Sequence, residues 1–161
     1  MMPNELVVRP FVENDYLAIT TYCLPEEQAI YTSLPIDVIK TFEKDSDNQP
    51  FVIYLERDLI GCFALHTNGN AYTKNKNAIL LKSFSIDARY QQKGLAYQSL
   101  KALPEIIKHH FPEKKEIILT VHHTNTPAIN LYRKADFIDF GHKFEGEFGE
   151  EWILHFNLDK E

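Results

Sequence analysis

The amino-acid sequence predicts an α/β (α+β) fold, a mixed central sheet flanked by helices, on three observations. Short β-prone runs and helical patterns alternate along the whole chain. One continuous apolar run, Ala78 to Ile86, passes through a glycine-bearing loop straight into a helical pattern. A second run of the buried-strand type, Glu116 to His122, follows that helix, and a strand reached through a helix is expected to lie parallel to the one before it. The 161 residues suffice for one domain with a full core and are few for two, so a single domain, 1–161, is expected.

In chain order, Leu6-Val7-Val8-Arg9 reads as a short strand, and Glu13-Asn14-Asp15 opens a helical segment carrying Tyr16, Leu17 and Ile19. Leu24-Pro25 and Leu34-Pro35 are breaks; between them Glu26 to Tyr31 reads as a further turn or two, and Ile36 to Lys44 follows as a short helix. Asp45 to Pro50 is a polar loop. Phe51 to Leu55 and Leu59 to His66 form an antiparallel pair about the tight connection Glu56-Arg57-Asp58, and Thr67 to Asn77 is a longer loop. Ala78 to Ile86 begins as an unbroken apolar run and continues as an alternation, the pattern of a buried strand ended by Asp87 and Ala88. Leu95, Leu100, Leu103, Ile106 and Ile107 then recur near helical spacing, with Pro104 predicting a kink or a restart and Pro112 a limit. Thr126-Pro127 opens the last long helix, with Thr126 as its cap and proline in its first turn. Phe137 to Phe144 and Glu150 to Leu158 close the chain as two strands around a Gly- and Glu-rich turn.

The loop Gln91-Gln92-Lys93-Gly94-Leu95-Ala96 has the outline of an anion site. The first N–H groups of the helix after it have no partner inside the helix, the helix dipole adds positive charge at that end, and glycine lets a ligand approach the backbone. A strand-to-helix turn also carries glycine for purely geometric reasons, so the loop alone leaves both readings open.

Two segments in order carry a resemblance. Gln91-x-x-Gly94-x-Ala96, after a strand and before a helix, resembles the Q/R-x-x-G-x-G/A pyrophosphate loop of the GNAT superfamily of acetyl-CoA-dependent N-acetyltransferases. Downstream, Asn125-Thr126-Pro127-Ala128-Ile129-Asn130-Leu131-Tyr132-Arg133-Lys134-Ala135-Asp136-Phe137 resembles that family's N-x-x-A-x-x-L-Y-x-x-x-G-F segment. The resemblance covers nearly the whole chain and implies the GNAT acyl-CoA N-acyltransferase fold. It also implies transfer of acetyl from acetyl-CoA to a primary amine by direct attack in a ternary complex.

By the same resemblance the two parallel strands splay, and the pantetheine arm bonds to the backbone of Phe84, Ser85 and Ile86. The pyrophosphate meets Gln91, Gln92, Lys93, Gly94, Leu95 and Ala96; Asn125 contacts the cofactor; and Tyr132 is the general acid that protonates the departing thiolate. The region with Tyr22, Glu26, Glu27 and Tyr31 corresponds to the part that covers the acceptor. Each assignment has a plainer counterpart: Phe84 to Ile86 as core strand, residues 22–31 as a surface helical cap, and Tyr132 as a buried aromatic with its OH on a backbone group. Gln92 stands where the family often has glycine, and Asp136 where it usually has glycine, at a helix end that tends to need the left-handed conformation. The alternative function is a non-catalytic acyl-CoA-binding module with a GNAT fold.

The remaining features narrow the partners. A net charge of −6 argues against nucleic acid and favours a cationic second substrate, a small-molecule or peptide amine, while local N–H groups and Lys93 suffice for the phosphates of CoA. Glu145, Glu147, Glu150 and Glu151 are candidates to ring one end of the cleft; the general base is not legible. The amino end lacks a basic region before an apolar core and no run is long enough to span a bilayer, so no membrane partner and a cytoplasmic location are expected, with a homodimer left open. Cys23 and Cys62 read as packing residues in a reducing compartment. The seven histidines show no zinc spacing, His122 and His123 being expected on opposite faces of a strand, and no metal is expected. No G-x-G-x-x-G supports a dinucleotide-binding oxidoreductase.

Overall fold

The computed structural model describes residues 5–24, 34–68 and 72–159. Its elements are β1 (Leu6–Pro10), a 3-10 turn (Glu13–Asp15) running into α1 (Tyr16–Ile19), α2 (Pro35–Lys44), β2 (Asn48–Leu55), β3 (Asp58–His66), β4 (Ala78–Ile86), a 3-10 turn (Ala88–Tyr90), α3 (Leu95–His110), β5 (Glu116–His122), α4 (Thr126–Lys134), β6 (Ile138–Gly146) and β7 (Gly149–Asn157). Glu26, Glu27 and Tyr31 lie outside the described residues. Among the described residues seven strands form one sheet in the order β1-β2-β3-β4-β5-β7-β6. Only β4 and β5, joined through α3, pair in parallel. The mixed sheet flanked by helices is the expected architecture.

Alternation along the strands sorts the core onto two faces. Phe51, Ile53, Ile79, Leu81, Ile117 and Leu119 meet Leu100, Leu103 and Ile107 of α3 and Ile129 of α4 on one face. On the other, Val52 and Leu59 meet Ile19, Tyr22 and Ile39, from the segments around α1 and α2. Leu80, Ile118 and Ile153 form a smaller cluster with Tyr72 and Phe144. Pro104 neither stops nor restarts α3, because the buried residues on either side of it keep the helix on the sheet; the helix ends where the Phe111 N–H bonds the Ile107 carbonyl at 2.7 Å.

The loop expected up to Pro50 gives way at Asn48, which already pairs with His66 of β3. Pro50 is tolerated because β1 ends beside it. The Phe11 N–H bonds the Pro50 carbonyl at 2.9 Å, and proline has no N–H to return the bond, so the β1–β2 ladder stops there.

One irregularity shapes the centre of the sheet. Ala64 is opposite Lys82 and Cys62 is opposite Ser85, so β4 spends one residue more than β3 over this stretch, and Ser83 takes a left-handed φ of 56°. This is a β-bulge, which bends the strand and raises its twist. The β4–β5 ladder runs from Ala78–Glu116 to Leu81–Leu119 and ends just before the bulge.

The amino-terminal quarter is tied down by a buried carboxylate. Asp15 receives both terminal nitrogens of Arg9 at 2.8 Å, the Val12 N–H at 2.8 Å and the Tyr54 hydroxyl at 2.7 Å, joining β1, the start of α1 and β2. Burial pushes this carboxyl up, and those hydrogen bonds more than offset it, bringing it down to about 2. A carboxyl depressed in the folded state stabilises above its unfolded pKa of about 4 and loses that contribution as pH falls through about 2; the shift corresponds to about 2 kcal/mol. Asp15→Asn should therefore be less stable than wild type in urea unfolding near neutral pH. The gap should narrow toward about pH 2; a gap that does not change with pH would show that Asp15 contributes through packing alone.

Candidate functional site

Past Leu81 and Leu119 the parallel strands no longer pair, although each keeps its outer neighbour. Residues 82–86 of β4 still follow β3, and Val121 and His122 of β5 still follow β7, opposite Trp152 and Glu151. Two strand edges thus face one another without a ladder between them. An extended molecule with amide groups can bond such edges.

The bulge also reassigns side chains, since a one-residue slip turns every later residue to the other face. Phe84 and Ile86 join the face covered by α3 and α4, and Ser85 turns to the opposite face, where its Oγ lies 2.7 Å from the Tyr22 hydroxyl. The Ile86 carbonyl accepts from Gln91 Nε2 at 2.7 Å. That side chain straps the loop to the end of β4.

The loop ends at Gly94, the N-cap of α3, with φ 76° and no side-chain cap bond. The first helical bond runs from the Gln98 N–H to the Gly94 carbonyl at 3.1 Å, so the N–H groups of Leu95, Ala96 and Tyr97 have no partner inside the helix. A Cβ on Gly94 would meet nothing within 4 Å among the described residues, so backbone conformation rather than crowding calls for glycine. Gln92 is left-handed too, with φ 61°, which gives a physical reason for glycine to be favoured there. Gln92, Lys93 and Gly94 are exposed. Beside them Leu55, Tyr90, Lys93, Leu95 and Gln98 line an open cleft of about 300 Å³.

The helix carrying Tyr132 is held at both ends. Asn125, not Thr126, is its cap: the Asn125 side-chain oxygen accepts the Ala128 N–H at 3.4 Å. At the other end the Phe137 N–H bonds the Tyr132 carbonyl and the Asp136 N–H the Arg133 carbonyl, both at 3.0 Å. Asp136 is left-handed at φ 74°, as its place in the segment led us to expect. The Tyr132 ring sits edge-on to Phe137 at 5.8 Å, and it packs against the same core as Phe84, Ala96 and Ala128. Among the described residues its hydroxyl has no hydrogen-bond partner. Burial pushes the phenol up to about 12. The proton therefore stays on the oxygen through neutral pH.

The opposite face carries features that the sequence reading passed over. Asp87 is completely buried at the end of β4 and receives Arg89 through Nε and Nη2 at 2.9 and 2.8 Å, the Arg89 N–H at 2.9 Å and the Cys23 N–H at 3.0 Å. The signal was present as an aspartate and an arginine two residues apart after a buried strand. The glutamates divide between the faces. Glu151 alternates in step with Ile153 and His155, whereas Glu150 lies with Trp152 and accepts its indole N–H at 3.0 Å. The four therefore do not form one ring. His122 and His123 do not diverge either: His123 lies past the strand end, and the two rings stack at 4.7 Å.

The model of the acetyltransferase (GNAT) family matches residues 12–137. The uncharacterized N-acetyltransferase YbbJ of Bacillus subtilis is 36% identical over 138 residues, covering 84% of this chain and 86% of that one. The spermine/spermidine N(1)-acetyltransferase of the same organism is 38% identical over 114 residues, 70% of this chain and 66% of that one. Among solved structures, aminoglycoside acetyltransferase AAC(6')-Ib in complex with coenzyme A superposes with a TM-score of 0.77 at 17% identity over 95% of each chain, a likeness of fold.

The two left-handed loop positions make opposite predictions. Gly94→Ala should cost about 1 kcal/mol in thermal or urea unfolding although it clashes with nothing, while Gln92→Gly should be neutral or gain up to about 1 kcal/mol. Losses of equal size in both would mean that the Gln92 side chain, rather than its backbone angle, matters to the loop.

Proposed function

This chain belongs to the acetyltransferase (GNAT) family, whose members are acyltransferases acting on amines, and from that membership we propose that it moves the acetyl group of acetyl-CoA directly to a primary amine in a ternary complex. The observation that carries the reading is the open inner edge of β4 beside the N–H groups of α3 that have no partner inside the helix and the phenol of Tyr132, which meets no partner among the described residues, all on the helix-covered face or its rim. The pantetheine amides bond the backbone of Phe84, Ser85 and Ile86. The pyrophosphate sits on the N–H groups from Gln92 to Ala96, with Gln91 fixing the loop and Lys93 adding charge. The Asn125 amide reaches the cofactor from the start of α4.

With CoA held from the helix face, the amine enters from the other. Its neutral nitrogen attacks the thioester carbonyl carbon, the carbonyl oxygen takes up negative charge, and the carbon–sulfur bond then breaks. Tyr132 donates its proton toward the departing sulfur, and the proton shed by the attacking nitrogen returns to the phenolate through solvent; the products are the acetamide and the free thiol. A phenol at about 12 is a weaker acid than a thiol, so its hydrogen bond to the developing thiolate, rather than early transfer, provides most of the help.

The acceptor we propose is a cationic amine of the polyamine type. The support is the acidic balance of the chain, the placement of Glu151 opposite the last residue of β5 on the acceptor face, and the 38% identity to the spermine/spermidine acetyltransferase. Thiol release from acetyl-CoA with spermidine, spermine and a neutral amine of similar size tests this. Preference for the neutral amine would sink the cationic assignment and leave the reaction class standing.

Tyr132→Phe keeps the ring against Phe137 and removes only the donor. Turnover should fall by about a hundredfold or more with little change in acetyl-CoA affinity or melting temperature. Because burial holds the phenol near 12, wild-type activity should show no tyrosine-dependent decline up to about pH 11, a unit beyond the ordinary value of about 10. A melting temperature that drops while turnover per folded molecule survives would make Tyr132 structural and assign the proton to water or another group.

A further inference from the structure

The geometry points to Asp87 and Arg89 as positioning residues that lock the amine-side wall, residues 21–23, onto the strand that presents the thioester; this rests on the acyl-transfer reading above. Asp87 directly follows β4, and its carboxylate accepts the Cys23 N–H at 3.0 Å, while the Cys23 carbonyl accepts the Ala88 N–H at 2.8 Å. The two segments therefore exchange bonds in both directions, as two residues of a sheet do, although neither belongs to a strand there. Arg89 closes the joint. Its Nε and Nη2 grip both carboxylate oxygens, and Nη2 also donates to the Thr21 carbonyl at 3.1 Å.

Between Thr21 and Cys23 stands Tyr22, whose hydroxyl lies 2.7 Å from Ser85 Oγ, one residue from Phe84 in the segment where the β4 edge is open. The Asp87 joint and the Tyr22–Ser85 bond fix one short stretch of chain at two points on the face from which the amine must arrive. Burial pushes the Asp87 carboxyl up, but the bonds from Arg89 and from the two backbone N–H groups leave it below the usual carboxylate range, so the joint stays charged and closed through neutral pH. Arg89 is more than half exposed, so it can be replaced without opening a cavity, whereas Asp87 cannot. A displaced wall misplaces the attacking nitrogen relative to the carbonyl without touching the phosphate loop, which is tied to β4 separately through Gln91 and Ile86.

The test uses Arg89→Gln, Arg89→Lys and Tyr22→Phe in the full chain, with spermidine as acceptor probe, CoA as donor-side probe and amide hydrogen exchange as a structural readout. Arg89→Gln should raise the spermidine KM by about tenfold or more and leave acetyl-CoA KM and calorimetric CoA affinity within about twofold. Exchange at Cys23 and Ala88 should accelerate while α3 stays protected. Arg89→Lys keeps the charge but not the two-nitrogen grip and should recover part of the loss, and Tyr22→Phe should raise the spermidine KM in the same direction. Equal effects on both substrates, or none in folded Arg89→Gln and Tyr22→Phe, would overturn the assignment. If the wild type binds CoA but acetylates no amine, the acyl-transfer reading fails instead, and unchanged exchange at Cys23 in Arg89→Gln would then overturn the joint itself.

Discussion

Ser83 adopts a left-handed backbone in the middle of β4, and the strand spends one residue more than its neighbour β3 between Lys82 and Ser85. The opening between β4 and β5 depends on that residue. Up to Leu81 the strand is an ordinary parallel partner of β5; beyond the bulge it remains paired to β3 but not to β5, and its inner edge is available. The same slip turns Phe84 and Ile86 toward α3 and α4 and sends Ser85 toward Tyr22, so the opening acquires an apolar side and a hydroxylated side at one stroke. A non-glycine residue at positive φ costs about 1 kcal/mol or more, and the surrounding sheet must hold it there. The fully buried Ile79 of β4 itself, Ile60 and Phe63 of β3 and Ile117 of β5 provide that hold.

Two buried carboxylates then join the amino-terminal segments to the sheet. Asp15 gathers β1, the start of α1 and Tyr54 of β2; Asp87 gathers residues 21–23 and Arg89 at the mouth of the opening. Neither charge is isolated. Each meets an arginine through two nitrogens and at least one backbone N–H, which is what makes a buried carboxylate tolerable. Residues far apart in sequence are therefore placed relative to the loop at Gly94 by charged hydrogen bonds as well as by apolar packing.

Much of this was legible in the sequence. The strand at 78–86, its parallel partner at 116–122 and the helix between them follow from apolar periodicity and the rule for strands joined through a helix, and the two resembled segments fall on either side of the opening. Asp136 was read as left-handed from its place at a helix end, and so it is. The bulge was not legible: serine carries no signal for positive φ, and only the partner strand reveals the extra residue. The cap of α4 moved from Thr126 to Asn125 because both side chains can accept such a bond and only the chain path decides between them. The strand β2 began at Asn48 against its polar composition because pairing with His66, not side-chain character, starts it. Asp87 ends β4 as its place in the sequence predicts, but its burial was not legible, because a buried aspartate and an exposed one look alike until the partners that surround it are known.

The central claim is that acyl-CoA lies along the unpaired edge of β4 with its pyrophosphate at the start of α3. Amide hydrogen exchange with and without acetyl-CoA measures this most directly, because the proposed contacts are backbone ones that side-chain substitution cannot remove. On saturation with acetyl-CoA, exchange should slow at residues 84–86 and at Leu95, Ala96 and Tyr97, with the paired stretch from Ala78 to Leu81 unchanged. Binding that slows exchange elsewhere and leaves both of these stretches as they were would contradict the account.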